Sequence, residues 1–172
     1  IGVGPSPSSP RTRKAIIEEL RTLSEETPKI KQAKVYELGS GWGHLAISTA
    51  KAFPDMDVIG VEISVLPFWI SQLRRKLGGP QNLHFIRGNF LEMSLEDADI
   101  VLTYLTVNLL NRLRPKLVRE LPESAYAICN TFSFDSCTPS KTKHVCQRIY
   151  AFNIFVYTKD AITQENSQEK IA

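Results

Sequence analysis

The sequence has little of what marks the extreme classes of protein. No apolar run approaches the roughly 20 residues that a membrane-spanning helix needs. Cysteine is scarce: Cys129, Cys137 and Cys146 are the only three, there is no C-x-x-C, and no nearby histidine completes a zinc spacing. A disulfide scaffold is thereby excluded, no metal ligands are expected, and three ordinary thiols suit a reducing compartment. Charge of one sign is not in excess either. A net charge of +3 gives no electrostatic ground for a nucleic-acid partner, which is not expected. Repeats and low-complexity tracts are missing. What is there is ordinary: 172 residues, 42% hydrophobic and 23% charged, enough for one domain with one sizeable core. The chain starts at Ile1 rather than Met. That reads as a processed or truncated start; the expected location is cytoplasmic, in keeping with the thiols, with membrane anchoring through a preceding segment left open.

Along residues 1–172 we read a single domain. Residues 1–9 hold prolines, glycines and serines and form a lead-in loop. Ser9-Pro10 starts a helix over 10–24, with Ile16, Leu20 and Leu23 on one side. An alternating core follows over 34–158, with strands predicted at 35–38, 57–62, 83–86, 99–104 and 125–130. Between them lie helices at 44–53 and 64–77, the latter with Leu66, Trp69 or Ile70, Leu73 and Leu77 on one apolar stripe. A helix over 107–121 contains Pro115 and is expected to break near Arg114. Segments 145–150 and 152–158 read as a closing antiparallel hairpin, and 160–172 as a polar, frayed tail. This alternation predicts a Rossmann-like, doubly wound α/β fold. Its seven-stranded sheet is mostly parallel, with an antiparallel C-terminal hairpin and helices on both faces. In such sheets ligands bind beyond the carboxyl ends of the strands, which points to the loops after Leu38, Val61, Ile86 and Leu102.

The strongest local signal is Glu37-Leu38-Gly39-Ser40-Gly41-Trp42-Gly43-His44. Glycines at a strand-to-helix turn let the backbone bend sharply and approach a ligand. A dinucleotide fingerprint G-x-G-x-x-G needs glycine at position 44, where His44 stands, and no P-loop pattern is present. Glu62 ends the next strand about 20 residues on, where a carboxylate can accept both hydroxyls of a ribose. Arg87-Gly88-Asn89-Phe90 follows the third strand with an amide and an aromatic ring.

These three features in register resemble class I S-adenosylmethionine-dependent methyltransferases, over about residues 30–158. The resemblance implies S-adenosyl-L-methionine as cofactor. It implies that Glu37, Gly39, Ser40, Gly41 and Gly43 hold its methionine end, that Glu62 binds the ribose, that Ile63 packs on the adenine, and that Asn89 bonds the adenine amino group beside Phe90. A narrower likeness is carried by Gly4-Pro5-Ser6-Pro7-Ser8, Asn82-Leu83-His84-Phe85-Ile86, Ala98-Asp99-Ile100-Val101-Leu102 and Tyr104-Leu105-Thr106. These resemble small bacterial relatives of the mitochondrial protein-lysine methyltransferases once called family 173, whose eukaryotic members carry an N-terminal membrane segment. That likeness implies a protein substrate methylated on lysine nitrogen.

The loop after the fourth strand, Thr103-Tyr104-Leu105-Thr106-Val107-Asn108, usually faces the methyl group. It lacks the Asn/Asp-Pro-Pro-aromatic pattern of enzymes that methylate adenine or glutamine amides, and has no nearby cysteine for a 5-methylcytosine mechanism. Tyr104 and Thr106 are the candidate catalytic residues, Tyr104 as a wall orienting an amine through its hydroxyl and ring. The alternatives at this stage are a small-molecule methyltransferase and a non-catalytic cofactor-binding subunit. Ser6 to Ser8 are a candidate gate over the cofactor. His84 and His144 read as structural, and Arg112, Arg114, Lys116 and Arg119 as a solvated helix face.

Overall fold

The computed structural model describes residues 9–135, 137–146 and 151–164. The candidate gate at Ser6 to Ser8, residues 147–150 of the expected hairpin and most of the polar tail lie outside the described residues. The chain divides into two compact units, Ile1–Met93 and Ser94–Ala172.

In the first unit, α1 (Pro10–Glu26) begins where Ser9 accepts a hydrogen bond from the Thr12 amide, with proline at the first helical position. Ile16, Leu20 and Leu23 are buried as their spacing predicts. A short 3-10 turn (Pro28–Gln32) leads into β1 (Lys34–Leu38), α2 (His44–Ala52), β2 (Asp57–Glu62), α3 (Val65–Lys76) and β3 (Leu83–Arg87). The three strands are adjacent in the order β3-β2-β1 and parallel. Val35, Leu38, Val58, Val61 and Leu83 are wholly buried, as strands covered on both sides require. The register sets Leu38 beside Val61 and Glu62 beside Arg87, so the carboxyl ends of all three strands come level.

α3 departs from the usual pattern. Its apolar stripe exists, but Leu66, Trp69, Leu73 and Leu77 all face outward, and the residues it buries are Pro67 and Ser71.

The second unit holds β4 (Ile100–Thr103), α4 (Val107–Glu120), β5 (Tyr126–Asn130), β6 (Lys141–Cys146), β7 (Ala151–Thr158) and α5 (Lys159–Thr163). Its strands are ordered β4-β5-β7-β6, with β4 and β5 parallel and β7 antiparallel to both its neighbours. The fold is the Rossmann-like, seven-stranded, mostly parallel α/β class read from the sequence, with its antiparallel C-terminal strands.

Four local expectations are corrected. α4 does not break at Arg114; it runs through Pro115 to Glu120. Proline forfeits its bond to the Asn111 carbonyl, but Pro115 lies on the exposed side, where a released carbonyl meets water. Leu110, Leu113 and Leu117, all fully buried, pin the helix on either side of it. The first strand of the hairpin starts at Lys141 rather than 145. Lys141, Thr142 and Lys143 hide that strand from an apolar pattern, yet charge on an edge strand is ordinary protection against edge-to-edge pairing. The tail opens with α5, in which the Thr158 hydroxyl accepts from the Ala161 amide and Ile162 is buried. The basic run on α4 is not uniformly solvated. Lys116 is buried in an ion pair 2.6 Å from Glu120, and Arg114 donates to the Ile162 carbonyl.

A candidate cofactor site at the carboxyl ends of β1, β2 and β3

The turn between β1 and α2 is built from four backbone anchors. The amides of Gly39 and Ser40 both donate to the Val61 carbonyl, at 2.9 Å each. The Gly41 amide donates to Glu62 Oε2 at 2.8 Å. The Trp42 carbonyl accepts from the Arg74 guanidinium of α3 at 2.8 Å. The loop is thus fastened to the tip of β2 and to α3 before any ligand arrives.

Gly43 shows why side chains are excluded here. Its φ is 74°, in the left-handed region, and a Cβ placed on it would lie 2.5 Å from the Phe85 ring and 3.0 Å from Ser71 Cβ. The same ring closes over Gly60, where a Cβ would meet it at 2.6 Å. Phe85 of β3 therefore fills the space that Gly43 and Gly60 vacate. Neither Gly60 nor Phe85 is among the site residues expected from the sequence. A glycine inside an apolar strand was the available signal, since it marks a close backbone approach.

Two carboxylates converge on this loop. Glu62 is buried, and each of its oxygens accepts one amide, Gly41 on Oε2 and Ser64 on Oε1 at 2.7 Å. A carboxylate has about four lone-pair sites, so each oxygen keeps one free for a hydroxyl. Glu37 is buried at the end of β1, where Oε2 accepts the Ala46 amide at 2.7 Å. Burial pushes its carboxyl up to about 8; the amide bond pulls the other way, and the like charge of Glu62 adds to the rise. A buried acid held this high is poised to receive a cationic group. His44, at the start of α2, is driven toward its neutral form by burial and by the cations of Arg74 and Arg13, and its Nδ1 is buried without a hydrogen-bond partner.

The structure thus brings Glu37, Gly39, Ser40, Gly41, Gly43 and Glu62 together around one turn. Ile63 stands exposed just past β2. Asn89 and Phe90 lie half-buried after β3, where the Gly88 amide donates to the Glu62 carbonyl. The Asn89 amide is already turned into its own loop, Oδ1 accepting from Leu91 and Nδ2 donating to Glu92.

Tyr104 and Thr106 belong to the second unit. Tyr104 follows β4 and its ring stacks on Phe132, with centroids 6.4 Å apart and planes 17° apart. Phe132 lies two residues past β5, at the carboxyl end of the adjacent parallel strand. No motif in the sequence singles out Phe132. Thr106 occupies the N-cap position of α4, but its side chain makes no capping hydrogen bond. Cys129 is fully buried, and burial pushes its thiol up to about 12, an unreactive thiol. No group of three or more His, Cys, Asp or Glu side chains is placed to hold a metal among the described residues.

Residues 37–141 match the family model described as the ANTKMT methyltransferase domain. The chain is 27% identical over 129 residues to a protein-lysine N-methyltransferase of Saccharolobus islandicus (strain REY15A), covering 72% of this chain and 77% of that protein. It resembles the structure of an RNA methyltransferase from Salinibacter ruber in complex with S-adenosyl-L-homocysteine, with TM-score 0.71 and 21% identity over 84% of this chain and 90% of the other. It also resembles magnesium protoporphyrin IX methyltransferase from Synechocystis PCC 6803 with bound S-adenosylmethionine, with TM-score 0.65 and 15% identity over 85% of this chain and 77% of the other. RNA and porphyrin are dissimilar acceptors, so the shared fold leaves the acceptor open.

Proposed function

Because the chain belongs to the ANTKMT methyltransferase domain family, we propose that it transfers the methyl group of S-adenosyl-L-methionine to lysine nitrogen on a protein. The observation that carries the cofactor half is the pair of buried carboxylates, Glu37 and Glu62, flanking a glycine turn at the ends of parallel strands. Glu37 would face the α-ammonium of the methionine end. Glu62 would accept the two ribose hydroxyls on its remaining lone pairs, while the Gly41 and Ser64 amides keep it aimed. Ile63 and Phe90 would pack the adenine, and Asn89 would accept its amino group on the second lone pair of Oδ1, beside the Leu91 amide. Gly39, Ser40 and Gly43 would let the backbone approach closely.

When bound, the cofactor supplies a methyl group on a sulfonium whose departure leaves a neutral thioether. The protein is then left mainly to align the acceptor and exclude water. The lysine half is supported by the S. islandicus relative and by the exposed Tyr104–Phe132 pair at the carboxyl ends of β4 and β5. Stacked rings attract a cationic or partly cationic amine through their faces. The Tyr104 hydroxyl and the uncommitted Thr106 hydroxyl offer hydrogen bonds to it.

Titration calorimetry with S-adenosyl-L-methionine tests the cofactor half. Glu62→Gln should weaken affinity roughly tenfold or more while the protein stays folded, since hydrogen bonds to a charged group contribute about 1.5–3 kcal/mol. Unchanged affinity overturns the ribose assignment. For the acceptor, lysate is incubated with cofactor labelled in its methyl group and hydrolysed to amino acids. Methyl-lysine is expected; label in RNA or in a small molecule would refute the lysine reading and leave the cofactor site standing. Once a substrate is in hand, Tyr104→Ala should lower kcat more than cofactor affinity.

A further inference from the structure

Nine large hydrophobic side chains are exposed among the described residues, and seven of them fall within residues 63–86. Five lie on or next to α3: Val65, Leu66, Trp69, Leu73 and Leu77 are each 55–77% exposed. At about 100° per residue, Leu66, Trp69, Leu73 and Leu77 occupy one strip less than about a quarter-turn wide. Arg74 and Lys76 fall on opposite flanks of that strip. The inner face holds Pro67, Ser71, Gln72 and Arg75 instead, with Gln72 donating to the Phe85 carbonyl. This inverts the usual globular helix, whose apolar side is the one it buries.

Charge narrows what such a face fits. Between Glu62 and Glu92 there is no Asp or Glu, while Arg74, Arg75, Lys76 and Arg87 supply four cations. A second copy docking through this face would bring cations with no acidic counterpart from the same segment, because a two-fold interface uses one patch twice. An anionic bilayer supplies both missing parts, hydrocarbon for the leucines and negative headgroups for the flanking Arg and Lys. An indole ring within the strip suits the headgroup boundary.

We infer that α3 is a membrane-surface helix that docks this protein on anionic lipid, lying in the interface with Leu66, Trp69, Leu73 and Leu77 in the acyl boundary. No helix among the described residues is long and apolar enough to cross a membrane, so this contact is peripheral. The inference is independent of the methyl acceptor.

The test is cosedimentation of the full chain with vesicles of phosphatidylcholine and phosphatidylglycerol (about 3:1) and with phosphatidylcholine alone. Trp42→Phe, which leaves Trp69 as the sole indole, supplies a fluorescence readout. Binding is expected to the anionic vesicles, with a blue shift of Trp69 emission and weakening as salt is raised. The double variant Leu66→Gln, Leu73→Gln should bind at least about tenfold more weakly, since two buried leucines are lost. Lys76→Glu should weaken binding to the anionic vesicles alone. Thermal melting and cofactor affinity of the Leu66, Leu73 and Lys76 variants should match those of the chain carrying Trp42→Phe alone, because none of these three residues is among those assigned to the cofactor. Failure of the parent chain to bind either vesicle overturns the inference, as does binding that the leucine variants leave intact. A concentration-dependent dimer that the same variants dissociate would assign the face to a second copy and refute the lipid reading.

Discussion

In α4 the side chains of Leu110, Leu113 and Leu117 are wholly buried, whereas in α3 Leu66, Trp69, Leu73 and Leu77 are more than half exposed. Both helices show a leucine stripe at helical spacing, and both carry a basic residue in the last turn. The difference lies in what each helix must approach. The inner side of α3 lies against the glycine turn, where a Cβ on Gly43 would already be 3.0 Å from Ser71 Cβ. Only a small residue fits at that point, so Ser71 takes it, while Gln72 and Arg75 fill the rest of the inner face with polar groups and the large apolar residues are left outside. In α4 the buried face is Leu110, Leu113, Lys116 and Leu117. Its leucines go inward, and Lys159 of α5 closes its end by donating to the carbonyls of Leu117, Val118 and Leu121. A stripe therefore identifies a helix, and the sizes of the residues opposite it decide which side is buried.

The largest expected effect breaks the comparison on the α4 side. Leu113→Ala should cost about 2–5 kcal/mol of stability, the range for truncating a fully buried leucine, read as a fall in urea midpoint. A loss under about 1 kcal/mol would mean that the α4 stripe is no better packed than that of α3.

Gly43→Ala strikes the inner side of α3. The left-handed φ of 74° costs a residue with Cβ about 1–2 kcal/mol, and the new methyl must displace the Phe85 ring. Cofactor affinity should fall with stability, because the turn and its anchors move together. A variant that binds normally would show that the turn tolerates a shift, and that close approach does not explain the inverted face.

Glu37 sharpens the picture through pH. Its folded carboxyl titrates at about 8 instead of the ordinary 4.5. Between those values the folded protein holds a proton that the unfolded chain has released, so stability falls as pH rises through that window and levels off above it. Glu37→Gln keeps an acceptor for the Ala46 amide and should flatten that slope in urea midpoints. Cofactor binding near pH 7 should release protons, seen as a buffer-dependent calorimetric enthalpy, because an ammonium group beside Glu37 favours its ionised form. Proton-neutral binding would place the ammonium elsewhere.

Much of this was legible in advance, for physical reasons. Strands such as Asp57–Glu62 announce themselves because burial on both faces demands an unbroken apolar run, and the glycine turn because few other residues accept its backbone angles. Glu37 and Glu62 followed from their places at strand ends. Contacts between residues distant in sequence were not legible. Phe85 over Gly43 and Gly60, Arg74 on the Trp42 carbonyl, and Phe132 beside Tyr104 depend on which strands become neighbours. The edge strand Lys141–Cys146 was missed at its start because a strand at the sheet's rim is under no pressure to be apolar.

The smallest expected effect carries the comparison furthest. Leu73→Ser in α3 mirrors the leucine truncation in α4 at a position 55% exposed. Most of the side chain is already in water, so its removal forfeits little transfer free energy and opens no cavity. Serine's weaker helix propensity adds a few tenths of a kcal/mol against leucine. The sum should stay within about 0.5 kcal/mol, as for surface substitutions generally, with cofactor affinity unchanged. The same substitution should raise solubility, because it interrupts the exposed strip. A cost of several kcal/mol in dilute aqueous buffer would mean that the protein itself covers Leu73 in solution, which would remove the contrast between the two helices and the ground for a lipid-facing α3 together.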